Sequence, residues 1–176
     1  MKKLLSALVL LVCLAAVPLF SWEPEDLTKF PKGQEGGDVI INFGIGLPVI
    51  WNNLILPPVR FSLDVNVPIG DKGLPFFIGG FAGLSGYKYA SKDYFWLPLG
   101  VRFGYHFNWD IDNLDTYAVT TAGWTLFLGD GRPNSLGNFY YDFKVGARYF
   151  IVDWFGFWAE AGFGGTFADI GIAFKF

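Results

Sequence analysis

Apolar and polar residues alternate one by one along several stretches of this sequence. In Val59-Arg-Phe-Ser-Leu-Asp-Val-Asn-Val67, every odd position is apolar and every even position is polar. A similar alternation runs through 97–107 and 139–151. Successive side chains of a β-strand point to opposite faces, whereas a helix would scatter these residues around its circumference. The pattern therefore predicts strands that have one apolar and one polar face.

The composition excludes most other classes of protein. Hydrophobic residues make up 52% of the 176 residues, and only 16% are charged, against about 25% in a typical soluble domain. Yet no apolar run after residue 20 approaches the roughly 20 residues that a membrane-spanning helix needs. The 23 glycines and 35 aromatic residues, with a single methionine, favour strands over helices.

Turn-forming residues divide the chain into eight predicted strands. We place them at 38–47, 58–69, 75–87, 94–108, 115–129, 138–152, 155–165 and 167–176. Most have at least the roughly 9–11 residues that a tilted strand needs to cross a bilayer, and an even number returns both termini to one side. We therefore predict an all-β fold, an eight-stranded antiparallel up-and-down transmembrane β-barrel, over residues 38–176.

A soluble lipocalin-like barrel is the competing architecture, because it also has eight alternating strands. Its interior is apolar and its exterior is polar. Here the charges on the polar face are separated by glycines and are too sparse to form a wall facing water, while the apolar face would aggregate in water. We therefore expect lipid outside and a charge network in the lumen. The predicted network consists of Arg60, Asp64, Arg102, Asp142, Lys144, Arg148 and Glu160.

Residues 1–21 are typical of an export signal, with a basic start at Lys2 and Lys3, an apolar core and a short cleavage region. Lipid attachment at Cys13 is an alternative, although Val12 stands where a small residue is expected. Residues 22–37 are predicted to form a polar, extended periplasmic leader. Without the signal the chain has no cysteine and carries 11 basic and 16 acidic residues, so neither thiol chemistry nor nucleic acid binding is expected.

The last eight residues, "DIGIAFKF", end on an aromatic side chain. They resemble the C-terminal signal of bacterial outer-membrane barrels, with a polar residue at Asp169, glycine at Gly171 and aromatics at Phe174 and Phe176. The chain after residue 38 is similar to small eight-stranded outer-membrane proteins of the opacity, OmpX and OmpW-like kind. More loosely, "VGARYFIVDWFGFWAEAGFGG" resembles small barrels of spirochaetes. The resemblance implies an outer-membrane location and insertion by the barrel assembly machinery; we expect a monomer in the lipid bilayer.

A tight hairpin centred on Asp153 would place Glu160 opposite Gly146, between Lys144 and Arg148 on the neighbouring strand. We therefore expect Glu160 to pair with Lys144 or Arg148. An eight-stranded barrel is just wide enough to be filled by side chains, so a general diffusion pore is not expected.

No constellation in the sequence predicts catalysis, a metal or a cofactor. His106 is the only histidine and is expected near the periplasmic end of its strand, whereas Ser62, Ser85, Ser91 and Ser135 are expected towards the outer side. Such a separation leaves no serine–histidine pair of the kind that acyl hydrolysis uses. We therefore expect a protein that is not an enzyme.

Several tryptophans lie near strand ends, where membrane-interface belts are found. Trp96, Trp109, Trp154 and Trp158 are predicted to be interface aromatics on this basis. Three functions remain open at this point: a structural or surface-interaction barrel, a narrow channel for small or hydrophobic solutes, and, most distantly, a lipid-modifying enzyme.

Overall fold

The structure, a computed structural model, describes residues 27–49, 52–89, 91–129 and 139–176. Eight β-strands are the regular elements of these ranges: β1 (Val39–Pro48), β2 (Leu54–Ile69), β3 (Leu74–Tyr89), β4 (Lys92–Phe107), β5 (Leu114–Leu128), β6 (Phe139–Val152), β7 (Phe155–Phe163) and β8 (Thr166–Lys175). Each strand pairs antiparallel with the next, and β8 pairs with β1 to close the barrel. The predicted eight-stranded antiparallel barrel is therefore confirmed. Among the described residues, no helix is long and apolar enough to cross a membrane.

The two faces of the strands differ as the alternation predicts. In β2, Arg60, Ser62 and Asp64 are buried in the lumen, whereas Phe61 and Leu63 point outward and are exposed. Exposed large apolar residues recur on the outward face of every strand, among them Phe43, Ile45, Ile78, Val101, Phe103, Leu126, Phe143, Val145, Phe157 and Ile170. The barrel is thus polar inside and apolar outside, which is opposite to a lipocalin.

The strand ends differ most from prediction at β2, which begins at Leu54 rather than at residue 58. The extra residues 54–57 include Pro57, which is followed by Pro58, and the pairing of β2 with β3 shifts register between Leu54 and Val59. Proline lacks a backbone N–H donor and is tolerated where a ladder is irregular. Residues 54–57, which the predicted strand bounds leave in a loop, therefore extend the strand instead.

The wall of the barrel is uneven in height. Strands β2 to β4 have 16 residues each, whereas β7 has nine and β8 has ten. At about 3.3 Å per residue, β3 is roughly 50 Å long and β7 roughly 30 Å. We call the end that carries both termini the lower mouth, and the end with the β7–β8 turn at Gly164 and Gly165 the upper mouth. Strands β2 to β4 continue above that turn.

Candidate functional site

The lumen holds the seven charged residues that the alternation assigns to it. Each of them is less than 5% exposed. Asp115 and Asp169 join them, so that four cationic side chains face five carboxylates in the interior of the barrel. Buried charges are costly unless they are paired and hydrogen-bonded. Each of these charged side chains has an oppositely charged partner in the lumen.

Arg148 organises the lower part of the network. Its Nη1 donates to Asp115 at 2.8 Å, its Nε donates to Asn42 at 3.0 Å, and its Nη2 contacts Asp64. The guanidinium also lies 4.2 Å from the ring centroid of Tyr117. All of its donor groups therefore have partners on other strands, and the side chain bridges the lumen.

Arg102 joins two carboxylates at mid-height. Its Nε lies 3.0 Å from Asp64, and its Nη2 donates to Glu160 at 2.7 Å. The hydroxyl of Tyr117 donates to the same oxygen of Glu160 at 2.9 Å. These four side chains come from β2, β4, β5 and β7, so the contacts run across the barrel rather than along one ladder.

The predicted partner of Glu160 is wrong, although the predicted register is correct. Glu160 does lie opposite Gly146 on β6. Its ion pair nevertheless forms with Arg102, and within the described chain neither Lys144 nor Arg148 lies within ion-pair distance of it. A long side chain in a narrow lumen reaches non-adjacent strands, so ladder neighbours do not decide the pairing.

The upper part of the network is built around Arg60 and Lys144. Arg60 lies 3.1 Å from Asp142 and 3.4 Å from Asp169. Lys144 contacts Asp169 and donates to Thr166 at 2.7 Å. Asp169 was predicted as part of a terminal signal, yet in the folded barrel it is a fully buried member of this network.

His106 lies in the lower part of the lumen, next to Asp115. Its Nδ1 lies 2.6 Å from Asp115 and its Nε2 lies 3.0 Å from the amide oxygen of Asn66. Within the described ranges no serine hydroxyl hydrogen-bonds to it. Ser62 instead accepts a hydrogen bond from Asn42 near mid-barrel, and Ser135 lies outside the described residues. His106 is thus part of the polar packing of the lumen, with Asp115 as its charged partner.

Residues 27–37 cover the lower mouth. This part of the predicted extended leader folds into turns rather than extending from the barrel. The Oε1 of Gln34 accepts from Asn66 at 2.9 Å, and the ring of Phe30 lies 5.7 Å from that of His106. Lys175 donates to the carbonyl of Gly33. Residues 27–37, called the N-terminal cover below, therefore close the lumen at the end where the chain enters and leaves. The predicted signal at 1–21 lies outside the described residues.

Lys32 fastens the outside of the N-terminal cover to the turn between β4 and β5. Its ammonium group lies 2.8 Å from Asp110 and 3.6 Å from Asp112. The hydrogen bond to Asp110 raises the pKa of Lys32 above its usual range, and the negative charges of both aspartates act in the same direction. These groups are exposed, so solvent screens the pairs and they contribute little to stability.

Two of the four predicted interface tryptophans point into the lumen instead. Trp158 is 4% exposed and donates from Nε1 to the carbonyl of Phe43. Trp96 lies edge-on to Tyr140 at the upper mouth. Both occupy even positions, which face the lumen in β7 and β4, and this parity outweighs their nearness to strand ends. The prediction for these two side chains is therefore wrong.

The other two predicted interface tryptophans lie at turns of the lower mouth. Trp154 is 58% exposed and stacks on Phe174 with ring centroids 6.2 Å apart. Trp109 donates to the hydroxyl of Thr116. The ring of Trp154 is exposed and that of Trp109 is half-buried, and their role as interface anchors stays a prediction.

Comparison with known proteins gives little beyond the architecture. No family model matches the sequence, and no curated protein matches it. A solved structure with a similar fold is the crystal structure of the N-terminal β-barrel domain of Pseudomonas aeruginosa OprF. The two chains are 14% identical, the match covers 81% of this chain and 98% of that one, and the TM-score is 0.45. A likeness of this degree carries no functional inference.

Sequence reasoning missed several members of the lumen network. Asp115 stands at the start of β5, a strand whose apolar residues fall on both faces, so its orientation was not evident. Asp115, Tyr117 and Thr121 all stand at odd positions of β5, and all three are buried. These shared odd positions in the sequence could have indicated that Asp115 faces the lumen. No cluster of histidine, cysteine or acidic residues in the described ranges could hold a metal ion.

Proposed function

We propose that this chain is an integral outer-membrane β-barrel with a structural or surface-interaction role and a lumen closed by its own side chains. The observation that carries the proposal is the sorting of residues in a closed barrel, polar inside and apolar outside. A closed barrel satisfies all its ladder hydrogen bonds internally, which is what a bilayer demands of a spanning structure. An outward band of exposed apolar residues is stable only against lipid.

Paired charged side chains fill much of the lumen, and this favours a closed lumen over a channel. Arg60, Arg102 and Arg148 each contact two carboxylates. Apolar residues fill further space, with Ile40, Phe150, Trp158 and Ala173 in one cluster and Phe77, Tyr117 and Val119 in another. The N-terminal cover adds a second obstruction at the lower mouth. A solute passing through would have to displace both.

The proposed partners are the surrounding bilayer and, during insertion, the barrel assembly machinery. Support for the second comes from the terminal residues, which keep the pattern of an assembly signal. The ring of Phe176 remains 72% exposed, and its backbone pairs with that of Val39 at the seam. We further propose that the barrel acts as a monomer and that it is not an enzyme, because within the described residues no serine hydroxyl hydrogen-bonds to His106.

The test combines membrane fractionation with refolding and conductance. The proposal expects the expressed chain in the outer-membrane fraction, a heat-modifiable shift in gel migration, and no conductance steps in a planar bilayer. A chain that stays in the soluble periplasmic fraction would refute the membrane assignment. Discrete conductance steps that change on replacing Arg102 or Glu160 would instead establish the narrow channel.

A further inference from the structure

The lumen charges fall into two groups that share no ion pair in the described part of the chain. The upper group joins Arg60 and Lys144 to Asp142 and Asp169, and its charges cancel. The lower group joins two guanidinium groups to three carboxylates. Its members are Arg102, Arg148, Asp64, Asp115 and Glu160. Because an uncompensated buried charge is costly, the lower group needs one more positive charge.

His106 is placed to supply the missing charge. Its Nδ1 lies 2.6 Å from the carboxylate of Asp115, and its Nε2 lies 3.0 Å from the amide oxygen of Asn66. Asn66 presents this oxygen because its amide nitrogen donates to the Oε1 of Gln34 at 2.9 Å. Both partners of the ring are therefore acceptors, and only the imidazolium form has an N–H donor on each nitrogen. With that proton, the positive charges of the lower group equal its carboxylates in number.

The other described groups around His106 add no fully buried charge. The ring centroids of Phe77 and Phe30 lie 5.0 and 5.7 Å from that of His106, and Tyr117, whose hydroxyl is an uncharged donor, lies at 6.3 Å. Lys175 is half-buried at the lower mouth and donates to a backbone carbonyl of the N-terminal cover. The charged side chains of that cover and of the residue after it are exposed or half-buried: Lys29, Lys32, Glu35 and Asp38.

From this geometry we propose that His106 is charged in the folded barrel and acts as a pH-sensitive lock on the N-terminal cover. Histidine is the side chain that most readily exchanges its proton near neutral pH. When Nε2 loses its proton it becomes an acceptor, so Asn66 must turn its amide and present its oxygen to Gln34. The amide of Gln34 also lies beside the carboxylate of Asp115, and turning it in the same way would bring its oxygen towards that carboxylate. Loss of one proton therefore weakens the contact that holds the cover.

The direction of the pH response follows from proton binding. As the pH rises, the unfolded chain releases the proton of His106 before the folded barrel does, so the folded state binds more protons over that range. The stabilising effect of the lock is therefore complete at low pH and is lost as the pH rises and the folded barrel also releases the proton. The lock goes beyond the proposed structural role, and it does not depend on which compartment the lower mouth faces.

The charge of the ring can be measured directly, because His106 is the only histidine of the chain. An untagged chain labelled with ¹⁵N-histidine and refolded in lipid nanodiscs gives the ring signals of this residue alone. At pH about 7.5, where a free histidine is mostly neutral, both ring nitrogens should be protonated. Asp115→Asn should leave only one protonated nitrogen, whereas the matched control Asp112→Asn, at a side chain that is 85% exposed, should behave as the wild type. Heat-modifiable migration verifies that each variant has folded.

The lock itself is tested by trypsin cleavage after Lys32 in the N-terminal cover. Cleavage after Lys72, in the exposed β2–β3 turn of the same molecule, corrects for the pH dependence of the protease, since a glycine follows both lysines. The ratio of the two rates should rise about fivefold or more, the effect of losing about one buried hydrogen bond, over the pH range in which Nε2 loses its proton. In His106→Gln the ratio should not change with pH.

Three results would overturn the proposal and leave the membrane assignment intact. The first is a folded wild-type barrel with a single protonated ring nitrogen at pH about 7.5. The second is a ring that stays charged up to pH about 9.5, because a histidine that never releases its proton cannot switch the cover. The third is a cleavage ratio that stays constant while Nε2 loses its proton.

Discussion

Replacing Arg102 by methionine should destabilise the barrel strongly, because it leaves a buried carboxylate without its ion partner. Arg102 contacts both Asp64 and Glu160. Asp64 keeps Arg148 after the change. Glu160 keeps only a hydrogen bond from Tyr117, since no other described cation lies within 4.0 Å of it. Methionine fills much of the same volume, so the loss measures charge compensation more than packing.

The magnitude follows from the burial of both partners, whose side chains are 1% exposed. Breaking a buried pair by removing one member costs about 3–5 kcal/mol. Glu160→Gln removes the other member and should cost a comparable amount, because Arg102 is then left with excess charge. The double variant Arg102→Met with Glu160→Gln removes both charges. We expect its loss to fall short of the sum of the single losses by about 2 kcal/mol or more.

The assay is urea unfolding of the barrel in lipid vesicles, followed by tryptophan fluorescence and by heat-modifiable migration. For a urea slope of about 1–3 kcal/mol per molar, each single variant should lower the unfolding midpoint by about 1 M or more. A cycle that gives additive losses would refute the reasoning, because it would mean that Arg102 and Glu160 contribute independently. An unchanged midpoint in Arg102→Met would mean that water reaches and solvates the network.

Three further predictions use the same unfolding and migration assays. Gln34→Ala should lower stability by about 1–3 kcal/mol, because the buried side-chain N–H of Asn66 that donates to Gln34 loses its acceptor; an unchanged midpoint would mean that the N-terminal cover is loosely held. Lys32→Ala is its matched control and should leave the midpoint unchanged, since its ion pairs are exposed. Gly171→Val should hinder closure of the β1–β8 seam, because an added Cβ would overlap the backbone of Phe43; a normal heat-modifiable shift would contradict this.

The faces of the strands could be predicted from the sequence because alternation is a local property. Each of the seven predicted lumen charges stands at the parity of its strand's polar face, and a closed barrel has only one inside. Asp115 was missed because β5 has apolar residues on both faces. The register of β6 and β7 was equally local, because a hairpin centred on Asp153 pairs residues whose numbers sum to about 306. A register shift between Phe150 and Val152 beside the turn gives this sum along the rest of the pair, so that Glu160 lies opposite Gly146.

The partners of the lumen charges could not be predicted, because they depend on contacts across the barrel. Arg102 and Glu160 lie on β4 and β7, 58 residues apart in the chain. An eight-stranded interior is narrow enough for one long side chain to cross it. The N-terminal cover escaped prediction for a related reason: its composition indicates only irregular structure, and the surface that it covers exists only after the barrel has closed.

The terminal residues show why a matching signal pattern does not by itself separate assembly from stability. Asp169 contacts Lys144 and Arg60 in the buried network, and Gly171 faces Gly44 across the seam. Both residue types are therefore required by the folded barrel, whether or not the assembly machinery recognises them. Any defect caused by changing them reports on both roles at once.

Phe176 is the position at which the two roles separate. Its ring is 72% exposed, and the hydrogen bonds that hold it come from its backbone, which a substitution retains. Phe176→Ala should therefore leave the urea midpoint of barrels refolded in vitro unchanged. If insertion in cells depends on recognition of the terminus, as we propose, the same variant should accumulate less in the outer membrane, as measured by quantitative blotting of membrane fractions. Asp169→Asn, by contrast, should lower both quantities. If Phe176→Ala reaches the outer membrane in wild-type amounts, the terminal aromatic serves only the barrel surface and the assembly role is refuted.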